Sequence, residues 1–445
     1  RAHTLDPHMN LNPELSLSQR DQQHIWHPYT PMKLRPTAIG VARGEGALLF
    51  DDNDNSYIDA VSSWWVNLHG HAHPAIAKAI YAQANTLAHC MFAGLTHEPA
   101  VQLAEDLLAV LPHNMRKIFY SDNGSCATEI AIKMALQAFH NQGQSRRTIV
   151  ALEGSYHGDT FGAMAASERG LFTAPFNDKL FDVAFIPVPT TDQAQCSLDA
   201  LLQILDKNDV AALIVEPLVQ GAAGMQMHNA KALDALFKAA HAHGAYVIAD
   251  EVMTGFGRTG TLFACEQLTE APDFMCLSKG LTGGTLPLAI TACTQPVYDA
   301  FYSDDLTHAF YHGHSYTANP IACAAAVASL KLLLTPESHA QREQLRCAHA
   351  DFASCIAKHP RIDNVRHCGT ILAMTVRTVA GNTYLSSERD RIYHYFLERG
   401  ILLRPIGNVL YLIPPYCITP AQLTHIYDAI RTFLDQDSTA DLAIV

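Results

Sequence analysis

Short apolar runs alternate with helix-like stretches through the middle of this chain, and this alternation limits the folds that the chain can adopt. The runs are "KIFYSD" (117–122), "TIVALEGSYHG" (148–158), "AALIVEP" (211–217), "AYVIAD" (245–250) and "FMCLSK" (274–279). Continuously apolar strands separated by helices are typical of a parallel sheet that helices cover on both faces. We therefore predict the α/β fold class with a mostly parallel central sheet.

The stretch after the first run has the spacing of a buried helix. Its apolar residues are Ala127, Ile130, Ala131, Met134 and Ala138. Because they recur at steps of three and four residues, they form one stripe along a helix that faces the core.

The pattern changes in the last quarter of the chain. A long helix-like segment, the short strands "TILAMTV" and "VLYLIPP", and a final helix follow one another there. This predicts a smaller α+β domain at 336–445, a large domain at 76–335, and an N-terminal segment at 9–75 that joins the small domain. Residues 1–8 are interpreted as an artificial leader that takes no part in the fold.

Composition excludes several classes of partner. The chain has 445 residues, of which 49% are hydrophobic and 16% charged, so it can bury a large core. A net charge of −13 without a basic tract argues against nucleic acid and against an anionic membrane. The apolar stretch "IACAAAVASL" is too short to span a bilayer. None of the 11 cysteines is spaced C-x-x-C, and no secretory signal is recognised, so we expect reduced thiols in the cytoplasm.

Chemically reactive side chains follow several of the apolar runs. Asp122 in "SDNGS", the segment "SYHGD", Asp250 and Lys279 all stand at or just after the carboxyl end of a run. Ligands of open α/β sheets bind beyond these strand ends. The sequence therefore predicts one site at one edge of the sheet.

Lys279 and Asp250 suggest what this site binds. A lysine at a buried strand tip can form an ion pair, bind a phosphate or form a Schiff base; here the small residues of "SKGLTGG" leave room for a bulky planar group. Burial would lower the pKa of the amine and make it nucleophilic. A buried acid opposite such a lysine suits pyridoxal 5'-phosphate (PLP), whose ring nitrogen stays protonated only beside an anion. Val252 would point to the same side as Asp250 and press on the ring.

The segment "SDNGSCATE" is a candidate phosphate cradle. Gly124 and Ser125 would begin a helix, where free backbone N–H groups and the positive dipole end bind anions. An ordinary N-cap serine fits the same pattern. Tyr156 in "GSYHGD" is a candidate for stacking on the cofactor ring, although a core tyrosine would fit there as well.

The pair "ADEVMTGFGRTG" and "LSKGLTGG" resembles the class III PLP-dependent aminotransferases of fold type I, and the similarity covers nearly all of the chain after Met9. The resemblance implies that Lys279 carries the cofactor and shuttles the proton, and that Asp250 pairs with the pyridine nitrogen. It also implies a homodimer in which two subunits build each active site.

Four further stretches resemble the branch of this family that acts in biotin biosynthesis: "HIWHPYTPM", "SSWWVNLHGHAHP", "YHGDTFGAMA" and "LLRPIGNVLYLIPPY". That branch moves an amino group from S-adenosylmethionine to 8-amino-7-oxononanoate and so forms 7,8-diaminononanoate. The substrate-binding residues that this resemblance implies are Trp64, Tyr156, Lys279, Gly313 and Arg404, with Tyr29 as a catalytic residue beside the reacting atoms.

The chemistry of these side chains agrees with such substrates. A guanidinium fork at Arg404 can hold the distal carboxylate of the keto substrate, with Tyr411 as its support. Trp64 and Tyr29 can face the sulfonium of the donor, which aromatic faces attract by roughly 0.5–2 kcal/mol.

Some positions differ from related branches. Met253 and Ala222 stand where the ornithine branch usually has glutamine and glutamate, which weakens the case for a glutamate donor. In "FYHGHSYTANP", His314 and Ser315 replace the more usual Pro-Thr. Both are candidate cofactor-binding residues, with the Ser315 hydroxyl serving the phosphate in the neighbouring subunit. Because relatives that use lysine resemble this form, lysine stays open as the donor.

Other functions are less well supported. The histidines of "HGHAHP" lack a fourth ligand at zinc spacing and precede a helix that starts with proline, so no metal site is predicted. Asp250 and Glu251 would point to opposite faces of a strand, which excludes a glycosidase pair. Another class III enzyme acting on a diamine or ω-amino acid, a PLP aminomutase and a non-catalytic regulator stay as alternatives.

Overall fold

The computed structural model describes residues 15–35, 37–378 and 387–436. The interpretation of residues 1–8 as an artificial leader therefore lies outside the described residues.

Strands of this described part build a large sheet and three smaller ones. In chain order they are β1 (Val41–Glu45), β2 (Leu48–Asp51), β3 (Ser56–Asp59), β4 (Met115–Ser121), β5 (Thr148–Leu152), β6 (Val183–Ile186), β7 (Val210–Val215), β8 (Val219–Gln220), β9 (Gln226–Met227), β10 (Tyr246–Asp250), β11 (Phe274–Leu277), β12 (Ala289–Thr294), β13 (Ile362–Cys368), β14 (Ile371–Val376), β15 (Ile401–Leu402) and β16 (Val409–Leu412).

Helices separate most of these strands. They are α1 (Leu17–His24), α2 (Ser62–Trp65), α3 (Pro74–Thr86), α4 (Glu98–Leu108), α5 (Gly124–Asn141), α6 (Phe161–Ala165), α7 (Ala194–Leu205), α8 (Ala230–Ala242), α9 (Gln295–Asp299), α10 (Pro320–Leu333), α11 (Pro336–Ile356), α12 (Ser387–Leu397) and α13 (Pro420–Gln436). Of these, α2 is one left-handed turn and not a regular helix, as its backbone angles show.

The large sheet has seven strands in the order β4-β12-β11-β10-β7-β5-β6. β12 runs antiparallel to both of its neighbours, whereas the other paired strands run parallel. Residues of β7 and β11 are all buried, as continuous apolar runs predict for strands covered on both faces. The predicted α/β class with a mostly parallel sheet is thus confirmed.

The buried stripe predicted after the first apolar run lies on α5. Ala127, Ile130, Ala131 and Ala138 are fully buried there, and Met134 is 7% exposed. Because α5 also contacts β10, β11 and β12, it fixes the position of its own N-terminus relative to the ends of these strands. This places Gly124 of "NGS" against Val252, two residues beyond Asp250.

Besides the two-stranded sheet β8-β9, two smaller sheets accompany the large one among the described residues. One has the order β1-β2-β3-β15 and so joins the N-terminal strands to a strand of the last quarter through parallel pairing of β3 with β15. The other has the order β13-β14-β16. This pairing supports the predicted union of 9–75 with 336–445, while the boundaries themselves stay a prediction.

Among the described residues, no single helix has both the length and the apolar composition to cross a membrane. One pair, α10 and α11, meets the two criteria together, but it is bent by 69°.

Candidate active site

A cavity of about 900 Å³ opens at the carboxyl ends of the central strands. Residues at the tips of five strands line it: Asp122 after β4, Tyr156 after β5, Glu216 after β7, Asp250 at the end of β10 and Ser278 after β11. The sequence prediction that the reactive side chains share one edge of the sheet is confirmed.

Eight of the predicted site residues line this cavity: Tyr29, Trp64, Gly124, Ser125, Tyr156, Asp250, Lys279 and Arg404. Met253 and Ala222, whose identities argue against a glutamate donor, lie in the same wall. Residues from both ends of the chain therefore meet around one space.

Lys279 follows β11 and begins a short 3₁₀ turn, with a positive φ of 49°. Its Nζ lies 4.6 Å from the centroid of the Trp65 ring. Removal from water lowers the pKa of Lys279 to about 8, although the carboxylates of Asp250 and Glu216 act in the opposite direction. A lysine with this pKa is partly unprotonated near neutral pH and can act as a nucleophile or a base.

This lowered pKa predicts the pH at which Lys279 reacts. In cofactor-free protein, the rate of carbamylation of Lys279 by cyanate should reach half its maximum near pH 8, because only the unprotonated amine reacts. An ordinary lysine would titrate near about 10.4. Peptide mass spectrometry across a pH series measures this, and the other lysine peptides of each digest serve as the comparison. A midpoint near pH 10 for Lys279 would contradict the prediction.

Asp250 is the last residue of β10, and it is 5% exposed. His157 Nδ1 donates to Asp250 Oδ2 at 2.8 Å, and the Val252 N–H donates to Asp250 Oδ1 at 3.1 Å. These bonds hold the carboxylate at the cavity wall. Glu251 turns away, as predicted, and accepts the N–H groups of Ala264 and Cys265 at 2.8 Å each.

His157 and Glu216 are functional candidates that the sequence reasoning missed. Burial raises the pKa of Glu216 to about 7, and its carboxyl group accepts the N–H groups of Tyr156 and Gly221 at 3.0 Å each. The motif "SYHGD" drew attention to the strand end but not to His157. Its role as the partner of Asp250 depends on a contact between residues 93 positions apart, which no local signal reveals.

The candidate phosphate cradle is formed where α5 meets the loop after β5. Asn123, and not Ser125, is the N-cap of α5, so the alternative of an ordinary N-cap serine is wrong. Ser125 Oγ instead accepts the Thr160 N–H at 3.0 Å and lies 2.8 Å from Thr160 Oγ1. A Cβ on Gly124 would lie 2.6 Å from Val252 Cγ1, so glycine is required for this close approach.

One recess of the cavity is formed by the rings of Tyr29, Trp64 and Phe172. The Tyr29 hydroxyl lies 3.2 Å from that of Tyr156 and donates to Asp159 Oδ2 at 2.5 Å. The Tyr29 ring meets the Trp64 ring edge-on, at a centroid distance of 5.4 Å, and contacts Phe172 in the same manner at 5.6 Å. Aromatic faces beside a carboxylate suit a cationic ligand.

Arg404 lies against Trp64, another of the predicted substrate-binding residues. Its guanidinium carbon is 4.2 Å from the centroid of the Trp64 ring. Its Nη2 is buried and has no hydrogen-bond partner among the described residues. A buried unpaired guanidinium nitrogen is costly unless a ligand pairs with it, so Arg404 fits an anionic ligand group. The predicted support from Tyr411 stays a prediction; the Tyr411 hydroxyl accepts Trp65 Nε1–H at 3.0 Å.

Gly313, His314 and Ser315 do not line the cavity of their own chain. They lie before α10, where the Thr317 hydroxyl donates to the His314 carbonyl at 2.8 Å. Ser315 is exposed. The expectation that Ser315 serves a neighbouring subunit is compatible with this position and stays a prediction, as do the roles assigned to His314 and Gly313.

The histidines of "HGHAHP" serve the fold. α3 begins at Pro74, as predicted, and the side chain of His73 accepts the Ala75 N–H as its N-cap. Among the described ranges, no group of three or more His, Cys, Asp or Glu side chains is placed to hold a metal ion.

The family model of the class-III aminotransferases matches residues 29–434 of this chain. This range contains the lysine, the acid, the cradle and the aromatic recess described above. The chain belongs to the class III aminotransferases. Enzymes of this family act on small molecules, and membership of the family implies PLP as the cofactor.

Individual relatives give a more specific similarity than the family model does. The chain is 50% identical to the adenosylmethionine-8-amino-7-oxononanoate aminotransferase of Synechococcus elongatus, across 93% of this chain and 99% of that protein. The crystal structure of the enzyme of the same name from Methanocaldococcus jannaschii has a TM-score of 0.90 at 34% identity, covering 94% of this chain and 98% of that one. An amine transaminase from an uncultivated Pseudomonas species, in its PLP-bound form, has a TM-score of 0.87 at 28% identity, with coverage of 93% and 98%.

Proposed function

We propose that this protein is a PLP-dependent aminotransferase that converts 8-amino-7-oxononanoate to 7,8-diaminononanoate in biotin biosynthesis, with S-adenosylmethionine as the amino donor. The observation that carries the proposal is the pairing of Lys279 and Arg404 with adjacent tryptophans in one cavity. A reactive amine and a carboxylate site are thereby held at fixed positions relative to each other. The names of the relatives above support this substrate and this donor.

The residues of the cavity fit PLP. Lys279 would hold the cofactor covalently, Asp250 would face its ring nitrogen, and Gly124 and Ser125 would bind its phosphate through the start of α5. Tyr156 lies in the same wall and is proposed to pack on the ring. When bound, PLP withdraws electrons from the carbon that carries the amino group, which makes a proton of that carbon removable.

Three side chains are assigned separate chemical roles. With PLP bound, Lys279, with a pKa of about 8, would take the proton from the donor carbon onto its Nζ and donate it to the cofactor, as a general acid–base catalyst. Asp250 would supply the carboxylate that stabilises a protonated ring nitrogen, and the hydrogen bond from His157 keeps that carboxylate in place. Arg404 orients the keto substrate by its carboxylate.

Tyr29, Trp64 and Asp159 are proposed to receive the donor. Their recess combines two aromatic rings with a carboxylate, and both groups attract the sulfonium cation of S-adenosylmethionine. The Tyr29 hydroxyl lies 3.2 Å from that of Tyr156, the residue proposed to pack on the ring, and this contact supports a position of Tyr29 beside the cofactor.

We further propose a cytoplasmic homodimer in which Ser315 of each chain serves the cofactor phosphate of the other. The exposed Ser315 outside its own cavity supports shared sites. All eleven cysteines are free, which agrees with a reducing compartment.

The visible spectrum of the PLP-loaded protein tests the function. S-adenosylmethionine, lysine and glutamate are added separately, and 8-amino-7-oxononanoate follows. We expect S-adenosylmethionine alone to bleach the long-wavelength band and the keto acid to restore it. Bleaching by lysine alone would keep the pathway but replace the donor. If no donor bleaches the band, or if the keto acid never restores it, the proposed substrates are wrong and another class III amine substrate must be sought.

A further inference from the structure

A strained turn carries the two tryptophans into the cavity. Ser62, Ser63, Trp64 and Trp65 have successive φ values of +52°, +47°, +74° and +72°. Residues other than glycine rarely adopt this left-handed region, and four in succession persist only where the surrounding structure holds them. The position of the tryptophans therefore depends on whatever holds this turn.

Asp59, the last residue of β3, accepts hydrogen bonds from the turn. Its side chain is fully buried, and its Oδ1 accepts the Ser63 N–H at 2.9 Å. Its Oδ2 accepts the Ser63 hydroxyl at 2.7 Å and His71 Nε2–H at 2.9 Å. On the other side, the Ser62 hydroxyl donates to the Ile413 carbonyl at 2.6 Å. The turn is thus fastened at two successive serines.

The tautomer of His71 follows from its other neighbour. Asn67 Oδ1 accepts the Gly70 N–H at 2.8 Å, so the amide nitrogen of Asn67 faces His71 Nδ1, at 3.1 Å, and donates to it. The proton of a neutral His71 ring therefore sits on Nε2 and is donated to Asp59. Asp59 consequently accepts three hydrogen bonds, and a residue without its second oxygen cannot reproduce this set.

Trp64 and Trp65 connect the turn to the chemistry. Trp64 packs against the Arg404 guanidinium, and the face of Trp65 lies under Lys279 Nζ. Asp59 itself does not line the cavity. We infer that Asp59 is a positioning residue, which keeps the left-handed turn in place and so aligns Arg404 and Lys279 with the substrate; its kinetic part rests on the function proposed above.

Asp59→Ala tests this inference through substrate binding. Displacement of a positioning contact by about 1 Å can reduce catalytic efficiency by up to about 10²-fold. We expect KM for 8-amino-7-oxononanoate to rise between about tenfold and about 10²-fold. The variant should still bind PLP, because Asp250 and the phosphate cradle are not part of the turn.

Tryptophan fluorescence provides a second measurement that needs neither cofactor nor substrate. The chain has three tryptophans, and Trp26 is 87% exposed, so Trp26→Phe leaves only the two of the turn. Trp65 is 7% exposed. In this background, Asp59→Ala should raise the acrylamide quenching constant at least about twofold, because a turn without its clamp leaves the left-handed region.

Asp234→Ala is the matched control. Asp234 is 8% exposed and accepts the N–H and hydroxyl of Thr269 at 2.7 Å each and the Glu270 N–H at 2.8 Å, but it lies away from the cavity lining. Loss of its hydrogen bonds should lower Tm without changing KM or quenching. The same pattern in Asp59→Ala, with KM within twofold of wild type and unchanged quenching, would overturn the inference.

Two further variants keep the test decisive. Ser63→Gly added to Asp59→Ala should recover part of the KM and quenching changes, because glycine adopts positive φ without steric cost. If Asp59→Ala does not fold, Asp59→Asn keeps one acceptor oxygen and should change quenching in the same direction; unchanged quenching in folded Asp59→Asn would then overturn the inference. Failure of wild-type protein to use the keto acid would refute the proposed function, while the quenching result would still decide the role of Asp59.

Discussion

Lys279→Ala is expected to lower kcat by at least about 10³-fold, since it removes both the covalent anchor and the general base. The physical basis is the half-buried amine with its pKa lowered to about 8, in a wall shared with Asp250. Steady-state turnover of donor and keto acid measures the loss. Binding of PLP should persist, because the phosphate cradle and Asp250 are untouched, and equilibrium dialysis of the cofactor checks this.

Lys279→Arg is the matched comparison for this experiment. It keeps a positive charge near Asp250 and Glu216 but cannot lose its proton at neutral pH. We expect it to be as inactive as Lys279→Ala, because proton transfer and nucleophilic attack both need a neutral amine. Substantial turnover in either folded variant would show that another group performs these steps.

Arg404→Met is expected to raise KM for 8-amino-7-oxononanoate by roughly 30- to 900-fold, which corresponds to about 2–4 kcal/mol for a desolvated charge pair. Arg404 has a buried Nη2 without a partner in the described part of the chain, and its guanidinium packs on Trp64. The rate at which S-adenosylmethionine alone bleaches the cofactor band should change much less, since the donor is proposed to bind at Tyr29 and Asp159.

Arg404→Lys separates charge from geometry. Lysine keeps the positive charge but loses the fork that binds a carboxylate through two parallel hydrogen bonds. An intermediate KM is expected for this variant. Equal losses for donor and keto acid in Arg404→Met would contradict a specific carboxylate site and would point to a collapse of the Trp64 wall.

Much of the large domain could be predicted from local patterns. β7, β10 and β11 were anticipated because a strand buried on both faces has a continuous apolar run, and α5 because its stripe has helical spacing. β12 is also wholly buried, but nothing in its composition indicates that it runs antiparallel between β4 and β11. Strand order and direction depend on packing between distant segments.

The active-site residues divide along the same line. Lys279, Asp250 and Gly124 belong to short motifs whose residue types and neighbours carry their chemistry. His157 acts through a single hydrogen bond to Asp250, and Asp59 acts through its hydrogen bonds to Ser63, in the turn that comes just after β3. Histidine and aspartate occur in many structural roles, so their residue types alone do not reveal these two.

The sequence by itself determined the class of fold, the edge of the sheet that carries the reactive side chains, and the pairing of an amine with an acid there. These depend on periodicity and residue type, which are local properties. Only the tertiary structure decided that Tyr29 meets Tyr156 and that Arg404 packs on Trp64. It alone also decided that a buried carboxylate at Asp59 holds four residues in left-handed conformations. The local cost of that turn, roughly 1–2 kcal/mol per residue, opposes it, so hydrogen bonds to Asp59 and to the distant Ile413 carbonyl must stabilise it.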